Sequence, residues 1–218
     1  VLARRNRHRR GCLDEDLILA VGPLSDPFVP DFDGIDSFEG ETYHTATWPH
    51  EPVDFEGKSV GIIGTGSTGA QAIPRIAERA DQLSVYQRTP NFIIPARNHP
   101  LTEEDYEEIR ENYDEIWETA WSTQSGHPFE YTHQSVEGLS EEEVREALEE
   151  GWEKGGFRFF HTFGDLLSNW ETNDTVAEFI SEKIRERLDD PELAEKLIPD
   201  DHPYGAKRPP LDYEGYYE

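Results

Sequence analysis

The sequence has 218 residues, of which 47 are Asp or Glu and 20 are Lys or Arg, giving a net charge of −27. Such a charge repels nucleic acids and anionic membranes, and we predict neither as a partner. Aromatic residues make up 11% of the chain, which favours a folded protein with a solvated acidic surface over an acidic disordered chain. We interpret this composition as that of a protein from a salt-loving organism.

The cysteine content and the hydropathy of the sequence indicate the compartment in which the protein occurs. Cys12 is the only cysteine, so the sequence allows no intrachain disulfide and no thiolate metal site, and we predict no bound metal. No run of about 18 apolar residues could span a membrane. The N-terminal segment also lacks the apolar stretch of a signal peptide. We therefore predict a cytoplasmic protein.

The first 15 residues form an atypical basic edge. Five Arg and no acidic residue occur in the first ten positions, whereas the remainder of the chain is strongly acidic. A basic run of this kind is either an interaction arm or the arbitrary edge of a longer gene. Since the chain contains no methionine, we favour the second interpretation and expect the sequence to be a piece of a longer protein.

The next elements in chain order predict a parallel α/β unit. Asp16–Gly22 is a short apolar run that indicates a buried strand, and a Pro- and Gly-rich loop follows it. The segment from Lys58 to Ala80 is typical of a strand, a glycine-rich turn and a helix, and Gln82–Pro90 indicates a second strand. This order predicts a Rossmann-like, doubly wound α/β fold.

A helical insert is predicted over residues 101–190. One amphipathic helix, capped by Thr102, carries an apolar stripe that we expect in the core: Tyr106, Ile109, Tyr113, Ile116 and Trp117. A second helix has a capping box formed by Ser140 and Glu143 and is predicted to stop at Gly151. Further helices are indicated by NDTVAEFISEKIRERL and by a segment with Asp190 as its cap and Pro191 at its first position.

The glycine-rich turn predicts a dinucleotide site. Gly64, Gly66 and Gly69 form a GxGxxG pattern between the predicted strand and helix, where glycines permit a tight turn, close approach of a pyrophosphate, and helix–strand packing. The helix N-terminus supplies N–H groups for the phosphates. We expect these residues to bind the cofactor: Gly64, Thr65, Gly66, Ser67, Thr68, Gly69 and Gln71.

The residue at the end of the second strand predicts the nucleotide. An NAD site places an acidic residue there, but this sequence has Arg88, followed by Thr89. A guanidinium suits the 2′-phosphate of NADP, because it offers bidentate hydrogen bonds to phosphate oxygens. The pattern therefore predicts NADP(H), bound in part by Arg88 and Thr89.

A further motif precedes the glycine turn. Phe38, Gly40, His44, Trp48 and Pro49 form an FxGxxxHxxxWP pattern, and together with the GxGxxG that follows, it resembles the fingerprint of the Baeyer–Villiger monooxygenases within the flavin-containing monooxygenase superfamily. The resemblance implies an enzyme that uses FAD, NADPH and O2 to convert a ketone to an ester or lactone. It also implies that His44 couples domain movements. Related N-hydroxylating and sulfur-oxidising flavoenzymes usually carry another residue at the position of Trp48.

The resemblance extends to the C-terminal segment YGAKRPPLDYEGYYE. It implies that Lys207 helps to bind the 2′-phosphate, and that Arg208 faces the flavin and nicotinamide and stabilises an anionic oxygen. It implies a domain order in which residues 16–57 are a flavin-domain edge and linker, residues 58–200 are the NADP-binding domain with its insert, and residues 201–218 return toward the flavin domain.

The glycine-rich flavin site of the family is missing from this sequence, as is the C-terminal half of the flavin domain. Two alternatives therefore stay open beside a Baeyer–Villiger enzyme. One is a non-catalytic NADP-binding fragment. The other is a related N-hydroxylating or sulfur-oxidising flavin monooxygenase, against which Trp48 argues.

Overall fold

The structure is a computed structural model that describes residues 22, 26–123, 125–213 and 215–218. The chain divides into two compact units, one ending at Val53 and the other spanning Asp54–Glu218. The predicted strand Asp16–Gly22 lies outside the described residues except for Gly22. In its described part, the first unit holds two short 3₁₀ helices, Ile35–Ser37 and Thr45–Thr47.

The second unit begins with the predicted β-α-β order and continues as a mainly helical segment. Its elements in chain order are β1 (Ser59–Ile63), α1 (Ser67–Ala77), β2 (Gln82–Tyr86), β3 (Ile94–Pro95), α2 (Glu103–Glu111), α3 (Tyr113–Ser122), α4 (Glu141–Lys154), α5 (Gly156–Phe160), α6 (Trp170–Arg187), α7 (Pro191–Leu197) and β4 (Leu211–Asp212).

Both strand pairs are parallel. β1 pairs with β2 from Ser59 opposite Gln82 to Ile63 opposite Tyr86. The short strands β3 and β4 pair with Ile94 opposite Leu211. The parallel β1-α1-β2 unit confirms the predicted α/β fold, although β2 ends at Tyr86 and so is shorter than the predicted strand to Pro90.

The core of the second unit lies among its helices. Trp152 of α4 packs edge-on against Phe159 of α5, with ring centroids 5.4 Å apart, and also against Phe179 of α6, at 5.8 Å. Tyr204, which precedes β4, contacts Phe159 with its ring centroid 6.1 Å away. These aromatic contacts between separate segments hold the helical insert against the chain that leads to β4.

The predicted helix starts follow from side-chain capping. Thr102 and Ser140 each accept a hydrogen bond from the backbone N–H three residues on, and each donates its own N–H to that residue's carboxylate. Asp190 accepts hydrogen bonds from the N–H groups of Glu192 and Leu193, and Pro191 occupies the first turn of α7. These caps confirm the predictions, because each satisfies backbone donors that the first helical turn leaves unpaired.

The predicted helix after Thr102 is wrong in its continuity and its burial. It is divided at Asn112, which ends α2, and whose side-chain Nδ2 donates to the carbonyl of Glu108. No residue of α2 or α3 is buried, and Trp117 keeps 49% of its surface exposed. An amphipathic stripe identifies the face that could pack, but it does not ensure that the described chain supplies a partner.

The predicted stop at Gly151 is also wrong. α4 continues to Lys154 and ends at Gly155, whose φ of 62° lies in the left-handed region that glycine tolerates. Gly151 is buried inside the helix because α5 passes close to it. A Cβ at this position would collide with Thr162 Oγ1 and would lie 3.2 Å from a ring carbon of Phe159.

Gly151→Ala is therefore expected to destabilise the protein by about 1–3 kcal/mol, since overpacking of a closely packed site outweighs the better helix propensity of alanine. Urea unfolding in concentrated salt measures this effect. Glu146→Ala, at an exposed position of the same helix, is the matched control and should change the free energy of unfolding little. Equal stabilities of the two variants would contradict the close packing at Gly151.

Candidate functional site

The glycine-rich turn connects β1 to α1 at the carboxyl end of the parallel strands. Gly64 has a φ of 100° and donates its N–H to the carbonyl of Tyr86, the last residue of β2, at 2.9 Å. A Cβ on Gly69 would collide with the carbonyl oxygen of Gly64, whereas a Cβ on Gly66 would meet no atom within 4 Å. Gly69 thus permits the close approach of helix and turn, and Gly66 leaves the backbone open to a ligand.

The N-terminus of α1 is free of side-chain caps. Gly66 is the N-cap residue and accepts a hydrogen bond from the Ala70 N–H at 2.8 Å, so the first helical bond closes over the turn. Ser67 and Thr68 are exposed on the first turn of the helix, and Gln71 is exposed at the start of its second turn. The first N–H groups of a helix lack intrahelical acceptors, and with no capping oxygen they fit an anionic phosphate.

A buried hydroxyl links the turn to the residue before Arg88. Thr65 is buried and donates to Gln87 Oε1 at 3.2 Å, and Gln87 Nε2 donates to the carbonyl of Lys196 at 3.0 Å. Burial raises the pKa of Tyr216, which also hydrogen-bonds Thr65, to about 12, so this phenol stays protonated at neutral pH. These contacts fix the turn against the end of β2 and the C-terminal segment.

Arg88 and Thr89 follow β2 after one intervening residue, and the sequence predicts that they contact the 2′-phosphate of NADP. Arg88 is exposed and Thr89 is half-buried. Gln87, one residue earlier, is tied to the glycine turn through Thr65. The structure therefore places the start of this segment beside the turn, with the guanidinium of Arg88 open to solvent.

Lys207 and Arg208 lie just before β4 and connect to the same segment after β2. Asn91, three residues beyond Arg88, donates its side-chain N–H to the carbonyl oxygen of Arg208 at 3.4 Å. The guanidinium carbon of Arg208 lies 5.4 Å from the ring centroid of Phe157 in α5. Lys207 and Arg208 are both exposed. The segment after β2 thus joins the glycine turn at one end to the Lys207–Arg208 pair at the other.

Arg88, Lys207 and Arg208 lack the salt bridges that most other basic side chains of the second unit form, a feature that Arg110 and Arg158 share among the described residues. Several exposed Arg and Lys side chains form salt bridges with acidic residues, for example Arg75 with Glu78 at 2.8 Å. Within the part of the chain that the structure describes, Arg88, Lys207 and Arg208 take part in no salt bridge. Asp201 has its pKa lowered by its hydrogen bond to His202 and also by the charge of Lys207, so Lys207 has a carboxylate nearby although it forms no salt bridge. In a chain of net charge −27, three cations that are not held in salt bridges are suited to an anionic ligand.

A buried carboxylate, Asp212, anchors the C-terminal segment that follows Lys207 and Arg208. Asp212 of β4 is 4% exposed, and its Oδ2 lies 3.3 Å from Nη1 of Arg187. Its Oδ1 accepts a hydrogen bond from the N–H of Tyr216 at 3.2 Å. Asp212 thereby connects the end of α6 to the C-terminal segment that contains Tyr216. Tyr216 itself hydrogen-bonds Thr65 of the glycine-rich turn.

The FxGxxxHxxxWP motif lies in the first unit. His44 is the N-cap of the second 3₁₀ helix, and its Nδ1 accepts a hydrogen bond from the Ala46 N–H at 3.2 Å. Trp48 ends that helix and packs against Tyr43, with ring centroids 5.6 Å apart. A Cβ on Gly40 would lie 2.6 Å from the ring of Phe38. Pro49, which follows Trp48, is half-buried. His44 thus has a clear capping role.

Three contacts were not predicted from the sequence: the Thr65–Gln87 hydrogen bond, the Asp212–Arg187 salt bridge, and the packing of Arg208 on Phe157.

The described residues contain no group of three or more His, Cys, Asp or Glu that could hold a metal ion. The described helices include none that is long and apolar enough to cross a bilayer.

Comparison with known proteins places these features in context. Residues 1–100 match the family model of flavin-binding monooxygenase-like (FMO-like) proteins. The 2-oxo-Delta(3)-4,5,5-trimethylcyclopentenylacetyl-CoA monooxygenase of Pseudomonas putida is 45% identical over 209 residues, which cover 93% of this chain and 38% of that protein. The cyclohexanone 1,2-monooxygenase of an Acinetobacter species is 45% identical over 205 residues, covering 92% of this chain and 37% of that enzyme.

A solved structure matches equally well. The crystal structure of OTEMO in complex with FAD and NADP superposes with a TM-score of 0.85 at 44% sequence identity, covering 91% of this chain and 38% of that one. The chain therefore spans well under half the length of the relatives that it matches, although the match extends over most of its own length.

Proposed function

We propose that this chain belongs to the flavin-binding monooxygenase-like family, whose model matches residues 1–100, and that it is the NADP(H)-binding part of a Baeyer–Villiger-type monooxygenase, as its 45% identity to the two monooxygenases described above supports. The observation that carries this proposal is a set of cations outside salt bridges, Arg88, Lys207 and Arg208, on segments that hydrogen bonds connect to an open glycine turn. NADPH, when bound, would supply a hydride.

The residues of the chain fit the parts of this nucleotide. The open backbone at Gly66 and the uncapped start of α1 would hold the pyrophosphate. Arg88, with Thr89 and Lys207, would hold the 2′-phosphate through charge-assisted hydrogen bonds. Arg208 would present a fixed cation at the nicotinamide end, where it could stabilise negative charge that develops on oxygen.

FAD is proposed as the second cofactor of the whole enzyme, because the family model is that of flavin-binding proteins. The described residues contain only one GxGxxG turn, which the nucleotide would occupy, so they do not by themselves fit a flavin. We assign no step to flavin in this chain. His44 is proposed to couple the movement of the flavin and NADP domains of the whole enzyme, in addition to its capping role.

The substrates proposed for the whole enzyme are a small ketone and O2, with an ester or lactone as product. The domain boundaries proposed are an edge and linker over residues 16–57, the NADP-binding domain over residues 58–200, and a returning segment over residues 201–218. From the charge of −27 we further propose a protein adapted to high salt, without nucleic-acid or membrane partners. From the single cysteine we propose that it is cytoplasmic.

A chimeric enzyme tests the proposed activity. In the cyclohexanone monooxygenase of Acinetobacter, the segment that aligns with this chain would be replaced by this chain. We expect a yellow protein that oxidises NADPH in response to cyclohexanone and forms the lactone. The control is the same chimera with Arg208→Ala, which should retain its flavin and lose lactone formation.

The outcomes of this experiment separate the alternatives. A chimera that binds flavin and NADPH but forms no lactone with any ketone tested would contradict the proposal and favour a non-catalytic NADP-binding chain. Oxidation of an amine or a sulfide in place of a ketone would favour the related N-hydroxylating or sulfur-oxidising enzymes.

A further inference from the structure

Behind Arg208 lies a stack of aromatic rings contributed by separate segments. The guanidinium carbon of Arg208 lies 5.4 Å from the ring centroid of Phe157 in α5. Phe157 is stacked on His127, with centroids 4.8 Å apart and an angle of 22° between the ring planes. The order Arg208, Phe157, His127 thus joins the segment before β4 to the loop between α3 and α4.

His127 is itself held by hydrogen bonding and packing. Its Nδ1 lies 3.2 Å from Nε2 of His161, which also lies 3.1 Å from Ser125 Oγ. The His161 ring is only 2% exposed and is stacked on Tyr131 at 4.8 Å. Burial, and then the nearby charge of His127, lower the pKa of His161, so this ring is neutral at neutral pH. The rear of the stack is therefore anchored in the core.

An aromatic face restricts how an arginine can point. A guanidinium over a ring is attracted by about 0.5–1 kcal/mol at an exposed site, and without this contact the long side chain would populate many rotamers. The backbone of Arg208 is fixed as well, because Asn91 donates to its carbonyl oxygen. In the described part of the chain no carboxylate pairs with this guanidinium, which leaves its N–H donors available to a ligand.

We propose that Phe157, held in place by His127, is a positioning residue that orients the Arg208 guanidinium toward the nicotinamide end of NADP(H). This inference rests on the proposed function, which gives Arg208 its ligand. Arg208 contacts the flat aromatic face of Phe157, so a substitution that keeps the ring should keep the orientation of the Arg208 guanidinium. Loss of the ring should free the arginine while leaving the glycine turn and Arg88 unchanged.

NMR spectroscopy of the 218-residue chain without nucleotide gives the first test. In the wild-type chain the Nε–H signal of Arg208, assigned by its absence in Arg208→Gln, should be displaced by the ring current of Phe157. We expect Phe157→Leu to remove this displacement, His127→Ala to reduce it, and Phe157→Tyr to retain it. An Arg208 signal that is unchanged in both Phe157→Leu and His127→Ala would overturn the proposal.

NADPH titrations of the same variants give the second test. Phe157→Leu is expected to weaken NADPH binding about two- to fivefold. In a chain that already carries Arg208→Gln, Phe157→Leu should cause no further loss, because it acts through the arginine. Additive losses would contradict a positioning role. Failure of the wild-type chain to prefer NADPH over NADH would instead contradict the proposed function, and the NMR result would still be interpretable.

Discussion

Arg88→Ala is expected to weaken NADPH binding by about 10- to 100-fold, because a hydrogen bond to a charged group contributes about 1.5–3 kcal/mol. NADH binding should change little, since NADH has no 2′-phosphate. Arg88 is exposed, follows β2 and forms no salt bridge among the described residues, so its removal should affect the stability of the fold little. Titration calorimetry with each nucleotide measures both affinities.

Arg110→Ala is the matched control for this prediction. Arg110 lies in the last turn of α2, is exposed, and its substitution makes the same change in net charge. It should leave both affinities nearly unchanged, because long-range attraction is screened over about 10 Å at moderate salt. Equal losses of NADPH and NADH binding in Arg88→Ala would disprove its contact with the 2′-phosphate.

The substitutions Gly66→Ala and Gly69→Ala are both expected to weaken NADPH binding, but for different physical reasons. A Cβ on Gly66 meets no protein atom, so this variant should fold with wild-type stability and lose NADPH affinity, because the methyl group occupies the space of the pyrophosphate. A Cβ on Gly69 collides with the Gly64 carbonyl oxygen, so this variant should lose about 1–3 kcal/mol of stability as well as affinity.

Thermal unfolding and NADPH titration of the two variants separate these effects. The expected pattern is an unchanged Tm for Gly66→Ala and a lowered Tm for Gly69→Ala, with weakened binding in both. Tight NADPH binding by Gly66→Ala would show that the nucleotide does not approach the backbone at this position. A stable Gly69→Ala would contradict the close approach of α1 to the turn.

Local chemistry was predictable from the sequence where a single segment decides the outcome. The caps at Thr102, Ser140 and Asp190 depend on residues within one turn of a helix, and all three are present in the structure. The β1-α1-β2 unit follows from an apolar run, a glycine turn and an amphipathic helix in sequence. These patterns are local, and short-range interactions are sufficient to determine the structure that each of them predicts.

Features that depend on distant residues were not predictable. Gly151 is typical of a helix stop, but in the structure it is an interior residue that makes room for Phe159 and Thr162. The aromatic stripe of α2 and α3 predicts burial, although Trp117 remains half exposed. In both cases the sequence indicates a local preference, and the packing partner decides the result.

The same distinction holds for the candidate site. The glycine turn, Arg88 and Thr89 were predicted from their spacing along the chain. The contacts of Thr65 with Gln87 and of Arg208 with Phe157 join residues that are 22 and 51 positions apart, respectively. No periodicity signals such pairs, so they could be found only once the segments were placed in three dimensions.

The most direct test of the account is a comparison of NADPH and NADH binding by the unmodified 218-residue chain, by titration calorimetry in one buffer. Since Arg88 and Lys207 are proposed to hold the 2′-phosphate, which NADH lacks, we predict that NADPH binds at least about tenfold more tightly than NADH. Equal affinities, or tighter binding of NADH, would contradict the assignment of Arg88 and Lys207 to the 2′-phosphate and with it the proposed function.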